Sequence, residues 1–182
     1  MGSFYTSHTL RGPPQAEVLS WLKGRSAYVS RSERSFTTVL DEACESQDSE
    51  ELAALGASLS EHFKCPVLAV LNHDDDILYF ELYDKGKKSD EYNSNPAYFG
   101  EEVEDDAPSG GSAALLAAAF GAADAGRIEA VLRNSEYIFA TERHKDLAAA
   151  LGLPEFAVGI GFRYAAAGDP PPWVAEGTYV PA

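Results

Sequence analysis

The stretch PVLAVLNHDDDILYFELYD, residues 66–84, decides how this chain folds. Residues 67–71 are a continuous apolar run too short for a helix, which predicts a buried strand. Asn72, His73, Asp74, Asp75 and Asp76 supply turn residues. Ile77, Tyr79 and Glu81 then alternate with Leu78, Phe80 and Leu82, the period of a second strand. The pair reads as a β-hairpin with an acidic tip.

Toward the N-terminus, Pro66 stops a helix that Asp48 or Ser49 can cap and that carries Leu52, Leu55, Leu59 and Phe63 on one face. Ahead of it, 27–29 and 36–40 are β-favouring runs around a polar stretch, a second hairpin. Gly12-Pro13-Pro14 separates a first strand over 3–10 from a short helix bearing Val18, Trp21 and Leu22. The order is βαββαβ, with one or two further strands, including a short edge strand at 89–93. This predicts an α+β fold: a mainly antiparallel sheet with helices on one face in the ferredoxin-like order, plus extra C-terminal helices and a strand.

Toward the C-terminus, Pro96, Gly100, the acidic run 101–106, Pro108 and Gly110-Gly111 predict a mobile acidic loop at about 95–112. Ala-rich helices are expected over 112–120 and 127–133, an extended piece over 137–139, and a helix over 145–151 stopped by Gly152 and Pro154. Residues 157–164 read as a last strand, with an extended Pro-rich tail from about 168. At 182 residues the expectation is one domain over 1–182.

Charge narrows the partners. The chain has 14 Lys and Arg against 29 Asp and Glu, a net charge of −15. Such a field repels phosphate backbones and anionic lipid, so no nucleic acid and no membrane are expected as partners, whereas a basic protein partner or a cation is accommodated. No run of 18 apolar residues is present, which speaks against a membrane span. Residues 1–10 lack the basic start and apolar stretch of a signal peptide. Cys44 and Cys65 are too few for a disulfide scaffold, so the expected location is cytoplasmic. No oligomeric state is specified by the pattern.

Two clusters carry candidate chemistry. His73, Asp74 and Asp76 offer nitrogen and oxygen ligands for a divalent cation, the one cofactor the sequence suggests. The competing reading makes them turn residues that bond nearby backbone N–H groups. A calcium-loop spacing is absent: there is no glycine at the sixth loop position, and Lys85 falls where the terminal Glu would stand. The second cluster is Asp41, Glu42, Glu45 and Asp48. Brought near the first it would make an acid–base pair; otherwise it supplies favourable charge at a helix N-terminus. Around the tip, Asp75 with Tyr79, Tyr92 and Tyr98 forms a candidate partner-binding surface, because exposed rings give area at small entropy cost.

Other signals fall short of a site. Ser109-Gly110-Gly111-Ser112 precedes a helix but lacks the P-loop lysine. Carboxylates around Cys44 would raise its pKa, and Cys65 enters a core strand. His144 shares an apolar face with Leu147 and Leu151, and Arg143 and Arg163 would meet an anion together only if the fold joined them. No catalytic residue is assigned.

The stretch Leu71-Asn72-His73-Asp74-Asp75-Asp76-Ile77-Leu78-Tyr79, continuing through Asp90-Glu91-Tyr92-Asn93-Ser94, resembles a family of uncharacterised bacterial proteins. So does Arg143-His144 followed by Leu151-Gly152-Leu153-Pro154. The resemblance spans about half of the chain, implies a bacterial cytosolic origin, and brings no activity or functional residues with it.

Two functions follow as expectations. One is a non-enzymatic binding protein, of inhibitor or immunity type, whose acidic and aromatic surface meets a basic partner. The other is a metal-dependent hydrolase using Asp74, Asp76 and His73 with a carboxylate from Asp41 or Glu42.

Overall fold

The computed structural model describes residues 2–98 and 107–182. In chain order these form β1 (Tyr5–Arg11), α1 (Gln15–Trp21), β2 (Ala27–Ser30), β3 (Phe36–Asp41), α2 (Ser49–Phe63), β4 (Val67–His73), β5 (Ile77–Asp84) and β6 (Lys87–Asn93). After them come β7 (Ser109–Gly110), α3 (Ala113–Phe120), α4 (Ala125–Arg133), α5 (Ala140–Leu151), α6 (Phe162–Ala167) and β8 (Tyr179–Pro181). The protein is α+β, with one eight-stranded antiparallel sheet in the order β7-β6-β5-β4-β1-β3-β2-β8.

The layering departs from the expectation of helices on one face. Helices α1 and α2 cover one face, against Leu10, Val29, Val39, Val67, Ala69 and Tyr83. Helices α3, α4 and α5 cover the other, against Tyr5, Leu68, Val70, Leu78, Phe80 and Tyr92. The cause lies in the unbroken apolar run of β4. Alternate side chains point to opposite faces, so a strand apolar at every position needs cover on both.

Helix α2 forms as its sequence dictates. The Asp48 side chain accepts a hydrogen bond from the Glu50 amide at 2.8 Å, Leu52, Leu55 and Leu59 are buried, and Lys64 ends the helix in the left-handed conformation. Helix α5 has no capping side chain of its own at Phe139 and ends at Gly152.

The C-terminal third differs from its sequence reading. Residues 157–164 are not a strand: a short 3-10 turn (Glu155–Ala157) leads through an irregular crossing into α6. Phe156 and Ile160 pack with Leu40 and Val174, so this segment lies over the sheet instead of joining it. Gly159 interrupts any extended run with φ +77, and a Cβ there would stand 2.8 Å from the Trp173 ring. Residues 137–139 also form no strand. The whole acidic run 101–106 expected in the loop at 95–112 lies outside the described residues. Its C-terminal flank is β7, paired to β6. In the tail, the Trp173 indole donates to the Val158 carbonyl at 3.0 Å and β8 pairs with β2. Among the described residues no helix is long and apolar enough to cross a membrane.

Two buried polar residues on α5 tie the second helical layer down. The Arg143 guanidinium donates to the Tyr92 hydroxyl (2.7 Å) and to the carbonyls of Val131 (3.0 Å) and Asn134 (2.6 Å), at the C-terminal end of α4. A cation suits that end of a helix, where unpaired carbonyls and the dipole are negative. His144 Nδ1 meets the Tyr5 hydroxyl at 2.8 Å, and the two rings stack.

Burial pushes the His144 imidazole down to about 4, and burial likewise brings His8 down to about 4. An unfolded histidine takes up its proton near pH 6.5, whereas these stay neutral until about 4. Their contribution to stability is therefore complete above pH 6.5 and is lost as pH falls toward 4. In urea unfolding from pH 7 to 4, the stability of the wild type should fall relative to His144→Gln by ~3 kcal/mol, which a parallel pair of curves would contradict.

Candidate functional site

The β4–β5 hairpin turns tightly through Asp74 (φ 51) and Asp75 (φ 63), and the Asp76 amide donates back to the His73 carbonyl at 3.0 Å. Two consecutive positive φ values define the type I′ turn that matches strand twist, and Asp tolerates that conformation. The carboxylates at 74–76 are thus, first of all, turn chemistry.

Their side chains go three ways. Asp74 Oδ1 accepts the Gly2 amide at 2.9 Å. Asp75 points inward: its Oδ1 accepts the Thr141 amide at 2.7 Å and the Asn72 side chain at 3.3 Å, while its carbonyl accepts the Ala140 amide at 2.7 Å. It thereby supplies the N-terminal cap that α5 lacks locally. Asp76 is exposed.

Beneath the turn, buried Asn72 organises a polar node. Its amide nitrogen lies 3.3 Å from the Tyr5 hydroxyl and 3.2 Å from Thr141 Oγ1, and its Oδ1 accepts the Asp75 amide at 3.2 Å. Gln47 closes the other face, donating to the Asn72 carbonyl at 2.6 Å and bonding His73 Nδ1 at 2.6 Å.

Among the described residues, no three His, Cys, Asp or Glu side chains are grouped to hold a metal ion. His73 lies on the α2 side beside Gln47, Asp74 binds the N-terminal backbone, and Asp76 faces out. The second acidic cluster reaches the hairpin through neutral Gln47 and sends no carboxylate. Buried Asp41 is held by the Arg25 guanidinium. Glu45 faces the backbone N–H groups of Phe162 and Arg163 at the start of α6, and burial raises its pKa. Burial first, then Asp41, pushes the Cys44 thiol up to about 12, and burial pushes Cys65 up to about 11, so neither is a ready nucleophile. Arg143 is committed inside the fold, and Arg163 is a largely exposed side chain near Glu45.

The partner-binding candidates divide. Tyr92 is 1% exposed, its ring stacked on Phe80 and its hydroxyl donating to the Leu132 carbonyl, so it belongs to the core. Asp75 is turned into the node described above. Tyr79 is half-buried and donates to the buried Glu81 carboxylate at 2.8 Å. Tyr98 stays at the surface, 37% exposed, with its ring edge-on to His73. Desolvation, then the adjacent Asp76 carboxylate, pushes its phenol upward.

The fold adds three apolar side chains that the sequence reading missed. Phe4 is 39% exposed, with its ring 5.0 Å from His73. Ile138 and Phe139, 77% and 50% exposed, stand at the start of α5, where Ala140 is bonded to Asp75. Ile138 and Asp76 line one polar cavity of about 200 Å³. Four of the six exposed large apolar side chains among the described residues therefore ring the acidic tip. The usable signal was Tyr137-Ile138-Phe139, an apolar run with no strand partner just ahead of a helix.

Internal and external carboxylates should separate by stability. Asp75→Ala should cost about 1–2 kcal/mol through loss of the α5 cap, and Asp76→Asn should stay within about 0.5 kcal/mol of wild type. Urea titration of both variants checks this, and equal costs would contradict it. Comparison with protein-family models, with curated proteins and with solved structures finds no match to this chain.

Proposed function

We propose that this chain is a non-enzymatic binding protein of the bacterial cytosol, which meets a basic protein partner through the tip of the β4–β5 hairpin. One observation carries the reading. Phe4, Tyr98, Ile138 and Phe139 are held at the surface around Asp74 and Asp76, while the net charge is −15. Exposed apolar side chains gathered in one place and rimmed by charge mark interaction surfaces. Rings supply contact area, and carboxylates set orientation and speed encounter with a cationic surface. An inhibitor or immunity-type role toward a cationic protein fits both halves of this surface.

The scaffold reading goes with it. We infer a ferredoxin-like core over residues 5–73, supported by the interleaved order β4-β1-β3-β2 and by α1 and α2 lying on one face. No observation among the described residues favours the metal-dependent hydrolase alternative.

The test is affinity capture on immobilised protein, wild type beside Ile138→Ser/Phe139→Ser and beside Asp74→Lys/Asp76→Lys. A basic protein should be retained by the wild type, should bind about tenfold or more weakly to each double variant, and should be released by salt. Capture that survives both double variants, or that salt leaves unchanged, would overturn the proposal.

A further inference from the structure

At the end of the sheet opposite the hairpin tip, Arg11 of β1, Leu82 and Asp84 of β5 and Ser89 of β6 border a cavity of about 820 Å³ between the C-terminal turn of α2 and helix α3. That volume is in the range of small-molecule sites. Its apolar wall includes Phe63, Leu82, Leu115 and Ala118. Leu115 is 45% exposed, a large apolar side chain that the core leaves uncovered.

The charge here runs against that of the chain. Among the described residues, Arg11 and Lys64 line the cavity against one carboxylate, Asp84, which itself lies 3.9 Å from Lys85. Neither Arg11 nor Lys64 forms an ion pair among the described residues. The Arg11 guanidinium is fixed: Nη1 donates to the Ala119 carbonyl at 2.9 Å, and the rest of the group passes along the end of α3. Gly121 makes room for it, since a Cβ there would fall 2.6 Å from Arg11 Nη2. Among the described residues the remaining guanidinium N–H groups have no partner, so a positioned set of donors is left beside an apolar wall.

We propose that this cavity binds a small amphipathic organic anion, a carboxylate on a hydrocarbon body of roughly eight to twelve carbons. Arg11 and Lys64 take the carboxylate, and Leu115, Leu82 and Phe63 cover the chain. A cationic or neutral headgroup leaves those two cations without a counter-charge, and a general acidic surface would repel the anion. The ligand class thus follows from the local reversal of sign.

Isothermal titration with decanoate, decanol and decyltrimethylammonium, each below its micelle concentration, tests the site. Decanoate should bind saturably with one site per chain, decanol about tenfold more weakly, and the ammonium compound not at all. Lys64→Gln should weaken decanoate binding several-fold. Ala118→Trp, at an exposed helix position, should abolish it with the melting temperature unchanged. Ile138→Ser/Phe139→Ser should bind decanoate as the wild type does, which separates this site from the hairpin tip. Absence of saturable binding, equal binding of the three headgroups, or full binding by Ala118→Trp would overturn the assignment.

Discussion

Strand β4 is apolar on both of its faces, and much of the architecture answers to that. Val67 and Ala69 face α2, while Leu68 and Val70 face the C-terminal helices. At roughly 25 cal/mol per Å² of buried apolar surface, leaving either side wet would cost several kcal/mol for this strand alone. One helical layer comes from the βαβ crossovers of the first half of the chain. The other has to be recruited from residues beyond 112, and that recruitment raises a second demand: something polar must fix α5 where it docks.

Asn72 and Asp75 meet that demand. They sit at the end of the doubly covered strand, and Asp75 caps α5 from 66 residues away in sequence. Arg143 and His144, adjacent on α5, complete the attachment by closing the end of α4 and bonding Tyr5. A buried polar group left unpartnered costs about 1–3 kcal/mol, so these bonds give α5 one favourable position where apolar contacts alone would tolerate several. The same docking holds Ile138 and Phe139 beside the acidic turn. The candidate interface is thus a by-product of how the second layer is pinned.

What could be read from the sequence was what is local. The α2 cap at Asp48, the stop at Gly152, the β4–β5 alternation and the turn at 74–76 are each set by a few neighbouring residues. The two-sided layering was written in the apolar run 67–71 but was outweighed by the βαββαβ order, which suggested one helical face. Residues 157–164 have strand-like composition, yet they cross over the sheet around Gly159 because Leu40 needs cover there. Tyr92 looked like a surface ring because β6 is otherwise polar; its inward face is set by pairing with Phe80. The choice of Asp75 over Asp74 and Asp76 as the inward carboxylate has no local signature, since α5 makes it. The exposed ring of Phe4, Tyr98, Ile138 and Phe139 comes from three separate segments, so no window of sequence contains it.

The consequence is a division of labour among chemically similar residues. Asp75, Asn72, Arg143 and His144 act inward and are coupled, so a change at one disturbs the others' partners. Asp76, Ile138, Phe139 and Phe4 act outward from positions those residues fix, and the fold asks little of their identity. An interface built this way can change its partner by surface substitution while the scaffold beneath it stays intact. Charge follows the same logic along the sheet: carboxylates gather at the hairpin end, whereas Arg11 and Lys64 hold the far end, where α2 and α3 both finish. Helix C-termini favour cations, so the fold's own dipoles help keep two unpaired positive charges in a chain of net charge −15. The two proposed sites thus stand at opposite ends of one sheet.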